Sequence, residues 1–352
     1  MTNRYKSNAI PVTICMIFIL AVVPLASHAQ SGGYTGSFSR MGLGATGIGM
    51  GNAMVAVADD GAYGYYNPAL SALQVGKAQF DLSSASLEFD RQLHMLNIHF
   101  PLPPTAGLNV GIINARVRGI DGRTGSGYHT EMLNTSEYQF LSSFGIRFSD
   151  NVWGGVGFKL SWANLHQEVQ NATSLGFDIG LLAEVRPGWN VGFTIQDLLG
   201  NFQWNSSDLY GTNPRNIEQK FPARFKGGTS YKIHQNVLIS SEYEFRVQTS
   251  EYLVNSVEII DGRPITISDS ETVRTNSQFL RVGASYKIHE RFTLRGGIQF
   301  SDLNTDSSES LFSAGFSLHL PFDFMSPSID YAFSQEPNNV ATMHVFALRL
   351  RL

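Results

Sequence analysis

Cysteine is almost absent from this sequence: Cys15 is the one thiol in 352 residues, which excludes a disulfide framework and a thiolate metal cage. Charge is scarce too, with Asp, Glu, Lys and Arg making up 15% of the chain against about 25% in a soluble globular domain. Neither sign dominates. The 25 basic and 29 acidic residues leave a formal net charge of −4, so the basic surface that nucleic-acid binding requires is missing and no such partner is expected. Beyond the first thirty residues nothing approaches the run of about 18 consecutive apolar positions that a membrane-spanning helix needs. What remains is a chain 43% apolar, with 34 glycines and 24 phenylalanines, whose apolar residues are dispersed rather than bunched.

The amino terminus reads as an export leader over residues 1–29. Arg4 and Lys6 make a charged start, Val12 to Val23 an apolar core interrupted by Thr13, and Ser27-His28-Ala29 a small-x-small cleavage site, placing the mature start at Gln30. The apolar core is too short to cross a bilayer. Cleavage would remove Cys15, leaving neither a disulfide nor a lipidated amino terminus. It would also remove two positive charges, taking the net charge from −4 to −6.

From about Ala78 to Leu352 the apolar residues recur with period two, the mark of strands whose faces meet different surroundings. Val152, Val156, Phe158, Leu160 and Trp162 share one face, while Trp153, Gly155, Gly157, Lys159 and Ser161 share the other. Leu175, Phe177, Ile179, Leu181, Ala183 and Val185 repeat the pattern up to the turn at Pro187-Gly188. In the last segment Phe346, Leu348, Leu350 and Leu352 oppose Arg349 and Arg351. Arginines facing hydrocarbon would cost about 2–4 kcal/mol each near the midplane, so these two belong to the lumen or the interface.

Strands are predicted near 78–88, 93–100, 107–117, 138–148, 152–162, 174–186, 189–197, 221–231, 236–246, 278–288, 291–300, 311–320, 327–334 and 342–352. Fourteen is an even number, as single-chain bacterial barrels have. Short connectors such as Pro101 to Ala106, Ser149-Asp150-Asn151 and Pro187-Gly188 follow even-numbered strands, and the long polar ones at 118–137, 198–220 and 248–277 follow odd-numbered strands. That alternation is the two-sided habit of an up-and-down outer-membrane barrel. A soluble sandwich or propeller would also have short strands, but no blade-length repeat is visible. Ser230-Tyr231-Lys232-Ile233-His234 does recur as Ser285-Tyr286-Lys287-Ile288-His289, which reads as a duplicated hairpin with turn-forming rather than catalytic histidines.

Residues 30–76 differ in character. Gly42, Gly44 and Gly47 match G-x-G-x-x-G, but no strand precedes them and no βαβ unit follows, so the dinucleotide reading fails and no cofactor is expected. Glycines here suit close packing of backbone in a confined space. The stretch from Gly47 through Gly49, Gly51 and Ala58 to Asp59 and Asp60, followed by Tyr66, Asn67, Pro68 and Ala69, resembles the amino-terminal signature of the PorV/PorQ family of Bacteroidetes-type bacteria. That family is similar to the FadL long-chain fatty-acid transporters, which carry an Asn-Pro-Ala element in a hatch plugging a fourteen-stranded barrel. The resemblance implies an all-β, 14-stranded antiparallel FadL-like barrel over 77–352 in the outer membrane, with a plug at 30–76 inside the lumen. It also implies periplasmic termini and extracellular long loops.

Two functions follow from it. One is a PorV-like interaction protein serving type IX secretion or surface assembly, with secreted cargo or secretion-system proteins at its loops. The other is a FadL-like passive transporter of a hydrophobic small molecule. Loop residues Phe202, Trp204 and Tyr210 are candidates for an apolar ligand groove or for loop self-packing. Tyr252 and Ile259, in a stretch that reads as a hairpin extending strands nine and ten, are candidates for partner contact. Glu242, Glu244, Arg246, Arg281, Arg291 and Arg295 are expected to face inward and knit the wall. Asp178, Glu184 and these glutamates are the acids a hydrolase would use, but no serine–histidine arrangement accompanies them, so no enzyme is expected. Asp59-Asp60-Gly61 reads as a turn in preference to a metal site. The chain ends in Leu352 without a terminal aromatic, leaving Phe346 as the outward assembly signal.

Overall fold

Sixteen strands alternate along the chain: β1 (Gln79–Leu87), β2 (Arg91–Leu102), β3 (Ala106–Arg123), β4 (His129–Ser149), β5 (Val152–Asn164), β6 (Ala172–Arg186), β7 (Trp189–Leu198), β8 (Asn201–Asn205), β9 (Asn216–Lys220), β10 (Ala223–His234), β11 (Val237–Ile260), β12 (Arg263–His289), β13 (Phe292–Ser301), β14 (Glu309–His319), β15 (Ser328–Gln335) and β16 (Thr342–Arg351). The computed structural model describes residues 36–59, 63–74, 76–165, 169–205, 216–260, 263–301, 303, 308–322, 325–336 and 341–352. The expected leader and mature start, Asp60 and Tyr210 lie outside the described residues. Among the strands, all but β8 and β9 close into one antiparallel barrel, β7 pairing directly with β10 and β1 with β16. The expected fourteen-strand barrel is therefore the observed one.

Period two becomes an inverted molecule. Val156, Phe158, Leu175, Phe177, Ile179, Leu181, Phe346 and Leu348 are exposed, while Lys159, Ser161, Asp178 and Thr194 on alternate positions are buried. Arg349 is only 3% exposed and lies 2.9 Å from Asp81 Oδ1 and 3.0 Å from Asp330 Oδ2. The outer surface is thus apolar and the inner one polar, the arrangement of a barrel with lipid outside.

One rim carries tight turns. Residues 150–151, 187–188, 235–236 and 290–291 each join two strands, and beside each the ladder shifts register by a bulge, at Arg147/Ser149, Glu184/Arg186, Lys232/His234 and Lys287/His289. The repeated Ser-Tyr-Lys-Ile-His segments occupy the last two of these places, as turn-forming ends of β10 and β12. Arg291, expected to face inward, sits instead in the exposed turn after β12.

The opposite rim corrects one expected loop and agrees with the expected hairpin extension. The ladder β3–β4 continues past the wall to Arg123↔His129, and β11–β12 continues to Ile260↔Arg263. Residues 118–137 are therefore largely a two-stranded arm rather than a loop, and the described part of 248–277 is the hairpin extending the two wall strands. Their neighbours end earlier, β10 at Ala223↔Val247 and β13 at Phe279↔Ser301. On the β3–β4 arm residues 118–121 and 129–132 are exposed on both faces, so the apolar alternation stops there while the hydrogen bonds continue. The long 198–220 connector also holds its own hairpin, β8–β9.

Residues 36–59 and 63–74 run inside the barrel. They include a helical turn at Ser37–Arg40, a short helix at Gly44–Gly49 touching β13 to β16 and β1, and a 3-10 turn at Pro68–Ala72 touching β2 to β6. The wall is shaved to admit them. Gly107, Gly145, Gly155 and Gly180 are successive cross-strand partners on β3 to β6, as are Gly192 with Gly228 and Gly283 with Gly297. At each a Cβ would fall closer than 3.0 Å to another atom; in all but Gly228 that atom belongs to Asn67, Pro68, Ser71, Ala72, Met50, Gly51 or Val55 of the internal segment. At Gly228 it meets Ser241 O and the Val55 side chain together. Glycine is the one residue that lets two backbones touch here.

Asn67 fastens the segment. Its Oδ1 accepts from Ala69 N at 3.0 Å, capping the turn that Pro68 opens, and its Nδ2 donates to Val55 O at 2.9 Å and to Leu181 O at 3.0 Å. Within the segment the Tyr66 hydroxyl accepts from Leu43 N and donates to Asn52 Oδ1, both at 2.9 Å. A Cβ on Gly47 would collide with that hydroxyl, whereas at Gly49 it would reach 3.4 Å from Gly315.

Two outcomes follow for the purified barrel. Gly180→Leu drives a side chain into the Asn67 amide and the Pro68 ring and costs at least about 1–3 kcal/mol, whereas Gly227→Leu, with nothing within 4 Å of its Cβ, leaves the unfolding temperature near that of the parent. Heat-dependent migration on gels distinguishes them, and equal behaviour of the two variants would refute the close-packing account. Asn67→Ala removes the cap and two cross-links and lowers stability by about 1–3 kcal/mol, read as earlier protease cleavage within 36–74 on a barrel that still closes.

Candidate functional site

The lumen holds three groups of buried charge, each built from alternate positions of neighbouring strands. On β5 to β10, Lys159 Nζ lies 2.7 Å from Asp178 Oδ2 and 2.8 Å from Asp197 Oδ1, and Arg224 Nε lies 2.8 Å from Asp197 Oδ2. On β10 to β12, Glu242 and Glu244 meet Lys226, Arg246 and Arg281. On β15, β16 and β1, Arg349 joins Asp330 to Asp81 and reaches Thr46 of the internal segment.

The middle group also grips the segment. Glu242 Oε2 accepts from Met54 N at 3.1 Å and Val55 N at 3.0 Å, while its Oε1 takes Arg281 Nη1 at 2.9 Å. A carboxylate held by two amides and a guanidinium is a strong, directional anchor. Gln196 Nε2 and Ser230 Oγ add bonds to Tyr65 O and Ala56 O, each at 2.8 Å. Arg295 is buried on β13, where it donates to Ser317 Oγ.

The expected inward charges Glu242, Glu244, Arg246 and Arg281 are thus brought together. Lys159, Asp197, Arg224 and Lys226 were not singled out from sequence, although their inward parity on β5, β7 and β10 was a readable signal. The acids considered for hydrolysis are engaged: Asp178 and the two glutamates in ion pairs, and Glu184 by accepting from Gly188 N at 3.0 Å. Asp59 pairs with Lys232. Among the described residues no three His, Cys, Asp or Glu side chains group as a metal site.

A cavity of about 310 Å³ lies between the internal segment and the wall from β11 to β16. Its segment side is Ser37, Arg40, Met41, Gly51 and Asn52; its wall side includes Arg246, Phe279, Arg281, Leu311 and Met343, with Arg91 and Glu336 nearest the arm-bearing rim.

Across the mouth from it, β8–β9 folds inward. Phe202 is 1% exposed and packs with Phe221 against the inward-facing Ala163 and Ala172, the two rings 5.1 Å apart edge to face. Trp204 leans on the same cluster, its Nε1 donating to Gln219 Oε1 at 3.0 Å. Of the two readings left open for Phe202 and Trp204, these contacts are those of self-packing, because burying two aromatic rings in the mouth removes more apolar area from water than displaying them. Phe221 also touches the segment at Gly36, with the Arg40 guanidinium 5.9 Å from its ring centre. Tyr252 and Ile259 lie on the β11–β12 arm, opposite Glu271 and Pro264.

No family model and no curated protein matches this sequence. Solved structures do match. The Ralstonia pickettii toluene transporter TbuX is similar at a TM-score of 0.61 with 16% identity, over 88% of this chain and 98% of that one. The Pseudomonas putida toluene transporter TodX gives 0.58 with 13% identity, over 88% and 96%. A Pseudomonas aeruginosa FadL homologue gives 0.58 with 12% identity, over 87% and 97%. At such identities the likeness speaks for the fold, and it falls on the FadL-type side of the earlier resemblance; the PorV/PorQ assignment gains nothing from it. The chain is a closed fourteen-stranded antiparallel barrel built like the FadL-type outer-membrane transporters.

Proposed function

We propose that the chain is a non-enzymatic outer-membrane conduit for a hydrophobic small molecule, which enters at the arm-bearing, extracellular rim and leaves at the periplasmic rim past residues 30–76, acting as a plug. The observation that carries this reading is the cavity of about 310 Å³ between the internal segment and the wall from β11 to β16, at the small end of the range that ligand sites occupy. The apolar belt supports residence in lipid, and the neighbouring toluene transporters support passage of small apolar molecules. Release requires the plug to shift, and Glu242 and Asn67 are the contacts that hold it.

The type IX secretion reading is kept as the second, favoured by the β11–β12 arm, whose strand edges beyond Val247 and before Phe279 pair with no neighbouring barrel strand among the described residues. Photocrosslinkers at Tyr252 or Ile259 in the native membrane would capture cargo or secretion proteins on that reading.

The test of the conduit is uptake by intact Gram-negative cells producing the protein, using radiolabelled toluene, benzoate and octanoate. At least one probe enters several-fold faster than in cells without the protein. Met343→Trp, which fills the cavity, reverses the gain in a barrel that still migrates as folded. Equal uptake of all three probes with and without the protein would overturn the reading.

A further inference from the structure

We infer that the luminal cavity selects a compact amphiphile with an anionic head, a carboxylate on a short apolar or single-ring body, over a neutral hydrocarbon. The inference rests on the conduit reading for the ligand's presence in the lumen. It departs from what the neighbouring toluene transporters are named for, because the lining here is cationic. Four arginines border the space, Arg40, Arg91, Arg246 and Arg281, against the single carboxylate of Glu336.

Arg246 and Arg281 are neutralised without being saturated. Arg91 lies 2.8 Å from Glu336, Arg246 2.7 Å from Glu244, and Arg281 2.9 Å from Glu242 and 2.8 Å from Glu244. A guanidinium has five N–H donors in a planar fork. Arg246 spends Nε and Nη2 on Glu244; Arg281 spends Nε on Gln299 and Nη1 on the glutamates. Among the described residues Arg246 Nη1 and Arg281 Nη2 have no protein partner. Donors of this kind on the border of a buried space match an incoming carboxylate, and the planar fork favours that group over others.

The apolar half of the ligand has a surface beside them. The Arg246 guanidinium carbon lies 4.3 Å from the Phe279 ring centre and that of Arg281 lies 5.4 Å from it, so one ring sits against both forks, with Leu311 and Met343 also lining the space. A neutral hydrocarbon entering here would strip water from guanidinium donors and return no hydrogen bond, which is penalised. A carboxylate returns those bonds. The modest volume restricts the body to one ring or a short chain, since a long chain would not lie wholly inside.

Benzoate and toluene isolate the point, sharing a ring and differing in carboxylate against methyl. Calorimetric titration of the full-length barrel in detergent should show benzoate binding at least about tenfold more tightly than toluene, weakening as salt is raised. Arg246→Gln should cost about tenfold of the benzoate affinity. Met343→Trp, which leaves every charge in place, should abolish binding while the barrel keeps its heat-dependent migration; this second variant keeps the test valid where Arg246→Gln fails to fold. Toluene binding as tightly as benzoate, or no binding of benzoate, overturns the inference. Toluene binding with uptake but no benzoate binding defeats this inference and leaves the conduit standing. Benzoate binding with no gain in uptake of any probe upholds the inference and defeats the conduit.

Discussion

A backbone threaded through a β-barrel has no ladder to join, so its amides and carbonyls must find partners on the wall or within itself. In this chain that requirement is met by approach. Glycines aligned as cross-strand neighbours on β3 to β6, and in pairs on β7/β10 and β12/β13, lower the wall until the stretches 50–56 and 67–72 rest on it. Asn67, Gln196, Ser230 and Glu242 then supply the hydrogen bonds. A Cβ in these rows would hold the segment away and leave buried polar groups unmet, so shape and hydrogen bonding depend on each other.

The same confinement explains why the charges cluster. A barrel in lipid cannot place Lys159, Arg224, Arg281 or Arg349 outward, and inward they are far from bulk water, so each sits against a carboxylate two or fewer strands away. Alternation along the strands and antiparallel register bring such positions to one level. At the β10–β12 group the same arginines that brace the wall border a cavity.

The β8–β9 hairpin and the internal segment are mechanically joined. Phe221 is shared between the aromatic cluster of the mouth and the contacts to Gly36 and Arg40.

Lipid on one side of the wall and a polar bore on the other is a condition that repeats at every second residue, so it is written in the sequence. Period two alone gives the fourteen strands, the outward Phe346 and the inward Arg349, and the repeated Ser-Tyr-Lys-Ile-His segments mark two of the bulged turns. The Asn67-Pro68 cap is local and was equally legible. The β3–β4 arm was read as a loop because its hydrogen bonds leave no hydropathy signal once both faces are wet, whereas the β11–β12 arm was read as a hairpin extension; Phe202 was left between a ligand groove and self-packing because an aromatic in a connector does not reveal which way the connector folds. Which glycine faces which, which carboxylate meets Arg281, and where a cavity is left all depend on register between strands and on a segment more than a hundred residues away in sequence, such as Asn67 against Leu181. Those contacts exist only once the ring is closed, because closure is what gives the wall an inside.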